Sequence, residues 1–117
     1  MKLIDTSSWV EYLRGRESES GDRVEALVIR GEAAWCDMTL VELWQGVRGG
    51  KEKRELAEME NEIQRIPVDA ESWRIAARLA LCCREKGITA ACATAHRLEL
   101  ESCDSHFDAI MPLAGNL

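Results

Sequence analysis

The sequence predicts an α/β fold, a sandwich of helices around a short, mainly parallel sheet. Three observations predict it. Brief apolar stretches alternate with helix-forming ones along the chain. The first of these stretches ends in an acid that opens a helix, where open α/β sheets place their ligand sites. The 117 residues are 46% hydrophobic, which suits one core and one domain spanning 1–117.

Taken in order, Leu3 and Ile4 read as a buried strand and Asp5 ends it. Thr6, Ser7 and Ser8 are the small hydroxyl residues that start helices. Trp9, Val10, Tyr12 and Leu13 supply that helix with an apolar face, and Gly15 closes it. Ser18 to Asp22 reads as a polar loop before a helix carrying Val24, Leu27 and Val28, which ends near Gly31. Residues 32–36, Glu-Ala-Ala-Trp-Cys, form a second strand, and a helix follows from Asp37 to Gly46 until Gly49-Gly50 breaks it. Glu52 to Arg65 favours helix by composition, and Ile66-Pro67-Val68 is extended. Asp69 caps a helix over 70–86 that Gly87 stops. Ala90 to His96 is a short alanine-rich helix, Leu98 to Glu101 alternates as a strand, Asp104 to Phe107 turns, and Ala109 to Met111 is a last short strand.

The totals limit the function. The apolar residues are too evenly spread for a membrane span, and no signal peptide precedes the first strand. The cysteines number five, with no Cys-x-x-Cys pair and two histidines beside them, which argues against structural zinc and for free thiols in a reducing cytoplasm. The net charge of −6 opposes broad electrostatic binding to nucleic acid, yet suits a nuclease whose acids hold cations. Arg48, Lys51, Lys53 and Arg54, with Arg14 and Arg16 elsewhere, read either as groove-lining cations or as a solvated helix face.

Three acids stand where a core alone would not need them: Asp5 after the first strand, Glu42 inside Leu40-Val41-Glu42-Leu43-Trp44, and Asp104 after a later strand. Buried carboxylates need partners, and Mg²⁺ or Mn²⁺ is one such partner, able to activate water and neutralise a phosphodiester. Each acid also has a structural reading. Asp5 can cap a helix, Thr39-Leu40-Val41-Glu42 and Ser8-Trp9-Val10-Glu11 both fit a capping box, and Asp104 can cap a turn.

Leu3-Ile4-Asp5-Thr6-Ser7 with Trp9, Leu40-Val41-Glu42-Leu43 with Gly46 and Arg48, Gly87-Ile88-Thr89, and the stretch from Asp104 to Ile110 together resemble a PIN domain, in order and over nearly the whole chain. The nearest pattern is the VapC-type toxin of bacterial toxin–antitoxin pairs. The resemblance implies a three-layer α/β/α sandwich and a Mg²⁺- or Mn²⁺-dependent ribonuclease. It implies that Asp5, Glu42 and Asp104 hold the metal or position the attacking water, with Thr6 or Ser7 assisting and Asp108 in support. It also implies a homodimer and a VapB-type antitoxin whose C-terminal segment covers the active-site groove. Arg48, Lys51 and Arg14 are the candidate contacts to RNA.

The chain departs from the family pattern after Thr89. The family usually runs from Gly-Ile-Thr into an acid that opens a helix across the pocket. Here Ala90 follows directly, no Asp or Glu lies between Glu85 and Glu99, and the chain is short by about two helical turns. Thr89, Thr94 and His96 are the nearby polar side chains, and Glu99 or Glu101 could swing into the vacant position. The expectation is a PIN-type protein with impaired catalysis, or a scaffold that dimerises and binds an antitoxin without turnover. A haloacid dehalogenase-like phosphohydrolase needs a second Asp two positions after the first, where Ser7 stands.

Overall fold

The computed structural model describes residues 1–15, 17–80, 84–102 and 111–112. Cys82, Cys83, Cys103, Asp104, His106, Asp108 and the expected turn over 104–107 lie outside them, as does most of the expected last strand. Met111 itself is helical, together with Pro112.

The elements run β1 (Lys2–Ile4), α1 (Thr6–Leu13), α2 (Glu19–Ile29), β2 (Ala33–Cys36), α3 (Asp37–Gln45), α4 (Gly50–Glu62), β3 (Gln64–Ile66), α5 (Ala70–Leu79), α6 (Arg84–Ala95) and β4 (Glu99–Glu101). The four strands form one sheet in the order β3-β2-β1-β4, and every neighbouring pair is parallel. The α/β reading holds.

The strands alternate strictly between two cores. Ile4, Ala33 and Trp35 join Trp9, Val24, Leu27, Leu40, Leu43, Leu56 and Ile63 on one face. Leu3, Ala34 and Cys36 join Ile66, Cys92 and Ala93 on the other. Side chains two residues apart share a face, so consecutive apolar residues in β1 and β2 mean burial on both sides. Ala90 and Ala91 of α6 meet Ile75 and Leu79 of α5, so α6 is buried against both the sheet and α5. Cys36 and Cys92 are free, buried thiols, as expected.

Local chemistry sets the boundaries, and several differ from expectation. Ser18 is the N-cap of α2, its hydroxyl accepting from the Gly21 amide, so the expected polar loop is already helix from Glu19. α4 ends at Glu62, and Gln64–Ile66 pairs with β2, where sheet pairing overrides helix propensity. α5 stops at Leu79, and Gly87 lies inside α6 instead of ending a helix. Burial of α6 outweighs the cost of an internal glycine. Gly15 and Gly31 follow α1 and α2 at φ 68° and 69°, the left-handed geometry that ends helices. Neither expected capping box forms. α3 starts from Cys36 and α1 from Asp5, so Thr39 and Ser8 lie inside their helices, and Glu11 pairs with Arg14. Among the described residues, no helix is long and apolar enough to cross a membrane.

Candidate active site

β1, β2 and β4 are parallel, so their carboxyl ends share one edge of the sheet. Asp5 follows β1, α3 follows β2, and Ser102 follows β4. The chain steps outward from β1 through β2 to β3 and returns on β1's other side with β4. The strand order therefore reverses at β1, and the crevice at such a point is the usual ligand site of open α/β sheets.

Asp5 sits there 4% exposed. Its Oδ1 accepts from the Ser8 amide at 3.1 Å, which caps α1. The Ser7 hydroxyl lies 3.0 and 2.9 Å from its two oxygens, and the Ser102 hydroxyl donates to Oδ2 at 3.0 Å. The Asp5 amide donates to the Glu101 carbonyl at 3.0 Å, fixing the backbone on β4. The helix-cap reading of Asp5 is therefore correct. It leaves the ligand reading open, because a carboxylate has about four acceptor positions. A buried carboxylate needs donors of this kind to offset the water it has lost.

Glu42 projects from α3, half-buried. Its Oε1 accepts from Thr6 Oγ1 at 3.1 Å, and Thr6 Oγ1 lies 3.3 Å from Thr39 Oγ1. Thr6 thus joins the helix after β1 to the helix after β2, and draws Glu42 toward the edge that carries Asp5. A groove of about 540 Å³ runs from this point, lined by Val10, Leu13, Arg14, Glu42, Val47 and Arg48 among others. Arg14 and Arg48 share it with Glu42. Lys51 does not line it and stands in solvent near Glu55.

His96, Glu101 and Glu99, candidates for the position left vacant after Thr89, are engaged elsewhere. His96 Nε2 is 2.9 Å from the Pro67 carbonyl and 3.3 Å from Asp69 Oδ2, which ties α6 to the start of α5. Glu101 pairs with Arg23 at 2.8 Å, and Glu99 lies 3.9 Å from Lys2. Among the described residues, no group of three or more His, Cys, Asp or Glu could hold a metal ion. Asp5 and Glu42 supply hard, anionic oxygens at one edge, a donor type that fits Mg²⁺ or Mn²⁺, ions that keep several waters. Asp104 and Asp108 lie outside the described residues, with Asp104 two positions after Ser102.

Sequence reasoning missed two members of this edge. Ser102 carries no motif, and only the β1–β4 pairing brings it to Asp5. Thr39 entered only as half of a capping box. Its full burial on a polar helix edge is a tertiary fact.

No curated protein sequence matches the chain. A toxin–antitoxin complex from Klebsiella pneumoniae superposes at TM-score 0.80 and 21% identity, covering 96% of this chain and 93% of that one. FitAcB from Neisseria gonorrhoeae superposes at 0.71 and 23%, covering 96% and 94%, and a structure of FitAB bound to a DNA fragment at 0.70 and 20%, covering 98% and 91%. At this identity the likeness is one of fold. The family model of the PIN domain matches residues 2–111, so the chain belongs to the PIN domain family.

Proposed function

We propose that the protein is a metal-dependent endoribonuclease, the toxin of a VapBC-type toxin–antitoxin pair. The observation that carries this reading is the meeting of Asp5 and the Thr6–Glu42 pair at the carboxyl edge of the sheet, beside the reversal of strand order. Asp5, Glu42 and Asp104 would hold Mg²⁺ or Mn²⁺. The bound ion would supply Lewis-acid activation of water and charge neutralisation at the phosphodiester. Ser7 and Ser102 keep the Asp5 carboxylate in one orientation, Thr6 does the same for Glu42, and Asp108 would be a supporting acid. Arg14 and Arg48 bind RNA phosphates along the groove, with Lys51 at its outer margin. The similar fold from Klebsiella pneumoniae is that of a toxin–antitoxin complex, which supports a VapB-like antitoxin as partner, and the working form would be a homodimer.

RNA cleavage by the purified full chain tests the proposal, with Mn²⁺ or Mg²⁺, with EDTA, and with Asp5→Asn. Cleavage should require metal and fall at least about a hundredfold in Asp5→Asn, the upper end of what losing a mere supporting partner costs. A specific observation favours a second reading. His96, Glu99 and Glu101 are engaged elsewhere, so the family's further acid has no substitute among them. A folded protein that binds its antitoxin and cleaves no RNA at any metal concentration would make it an inactive PIN scaffold.

A further inference from the structure

We propose that Cys36 and Cys92 are a redox pair, which hydrogen peroxide closes into a disulfide that staples α6 to the end of β2. The inference stands apart from the nuclease reading.

Cys36 is the last residue of β2 and the N-cap of α3, and Cys92 lies in α6. Both are free, fully buried thiols in one core cluster, on the sheet face that α6 covers. Two observations bring them together. Cys36 is in register with Ile66 of β3, and the carbonyl of the next residue, Pro67, lies 3.6 Å from Cys92 Sγ. The two thiols also hydrogen-bond each other. A single buried cysteine serves as a small hydrophobe. Two that face each other from a strand and a helix also meet the first requirement of a disulfide, which is nearness.

Their surroundings divide the roles. The hydrogen bond from Cys92 draws the Cys36 thiol down from 9.0 to about 6 despite burial, while Cys92 keeps its proton and is pushed up. Cys36 is therefore the nucleophile, since the thiolate is the reactive form. Its sulfur attacks one peroxide oxygen, the O–O bond breaks, and the departing hydroxide takes up a proton and leaves as water. Cys36 is then a sulfenic acid, which condenses with a neighbouring thiol. The Cys92 sulfur attacks that of Cys36, the S–S bond forms, the S–O bond breaks, and the Cys92 proton leaves with the hydroxyl as a second water. The thiols lose two electrons and the peroxide gains them. Neither thiol meets solvent, so peroxide enters through local opening. Gly87, inside α6, weakens the helix that covers the pair. Once formed, the bond closes the chain between 36 and 92 and restrains the unfolded state.

The test treats the folded full chain, carrying Cys82→Ser, Cys83→Ser and Cys103→Ser, with hydrogen peroxide and then catalase. The monomer should lose two hydrogens in mass. Proteolysis should yield a fragment joining 36 to 92 that dithiothreitol separates, and the urea midpoint should rise on oxidation and return on reduction. Should the serine variant fail to fold, peptide mapping of the unsubstituted chain reads the same fragment. Oxygen added to either thiol without a link, a link between two chains, or pairing of 36 or 92 with another cysteine overturns the proposal. So does a bond that forms only in urea concentrations that unfold the chain, or one that leaves the midpoint where it was or lowers it.

Discussion

On one face of the sheet, Ile4 and Trp35 meet large side chains from α1 to α4. Trp9 and Trp35, both fully buried, stand with ring centroids 5.1 Å apart. On the other face, Leu3, Ala34 and Cys36 meet Cys92 and Ala93 of α6, whose next two small residues, Ala90 and Ala91, meet α5. The first face is held by volume and the second by close approach. Large rings stabilise by the area they bury and leave cavities when cut. Small residues stabilise by letting backbones come near and tolerate no added atoms. One sheet can therefore carry both kinds of core, and each is vulnerable to the opposite substitution.

The largest expected effect tests the first face. Trp35→Ala should destabilise by about 3–5 kcal/mol, read as a fall in the denaturant midpoint. Little change would mean that the face collapses into the space and is not held by volume. Next in size is the second face. Ala93→Leu, fully buried now, should cost about 1–3 kcal/mol through overpacking, while Ala93→Gly should cost about 1 kcal/mol through helix propensity. A leucine that is tolerated would show that α6 does not sit close to the sheet.

A smaller effect concerns the edge between the two faces. Asp37, first residue of α3, accepts from the Arg65 side chain and, at 2.9 Å, from the Val68 amide, tying α3 to the end of β3. Burial acts to raise its pKa, but the Arg65 guanidinium and the Val68 amide outweigh that, holding it below the ordinary value of 3.8. A depressed carboxylate stabilises the fold above its unfolded pKa and loses that contribution as pH falls through the folded one. Asp37→Asn should therefore cost about 1 kcal/mol at neutral pH, and the gap from wild type should close below about pH 4. A gap constant down to pH 2 would mean that the charge contributes nothing there.

Much of the first face was legible in the residues. Trp9, Val24, Leu27, Leu40 and Leu43 are large, apolar and periodic, and each lies in the core where that period puts it. The second face was harder to read. α6 is buried against both the sheet and α5, so its burial follows no single stripe, and alanines and a glycine at 87 read as a weak helix interrupted. Of the site, Asp5 and Glu42 were recognisable as acids among apolar neighbours, but Thr39 and Ser102 were not. Both are small polar residues that fit a cap or a loop end as readily as a buried partner.

The order of residues by itself determined which side chains of β1 and β2 face the same way, because strand periodicity is local and both strands are apolar at consecutive positions. It also determined that Asp5 would end a strand and open a helix, since an acid before three hydroxyl residues does so by short-range hydrogen bonding. Only the tertiary structure decided that Thr6 would hold Glu42, 36 residues away, and that Ser102 would hold Asp5, 97 residues away. Those contacts depend on β1 pairing with both β2 and β4. Such pairing is set by the burial of whole elements and by the direction of the connections between them, and no local pattern carries that information.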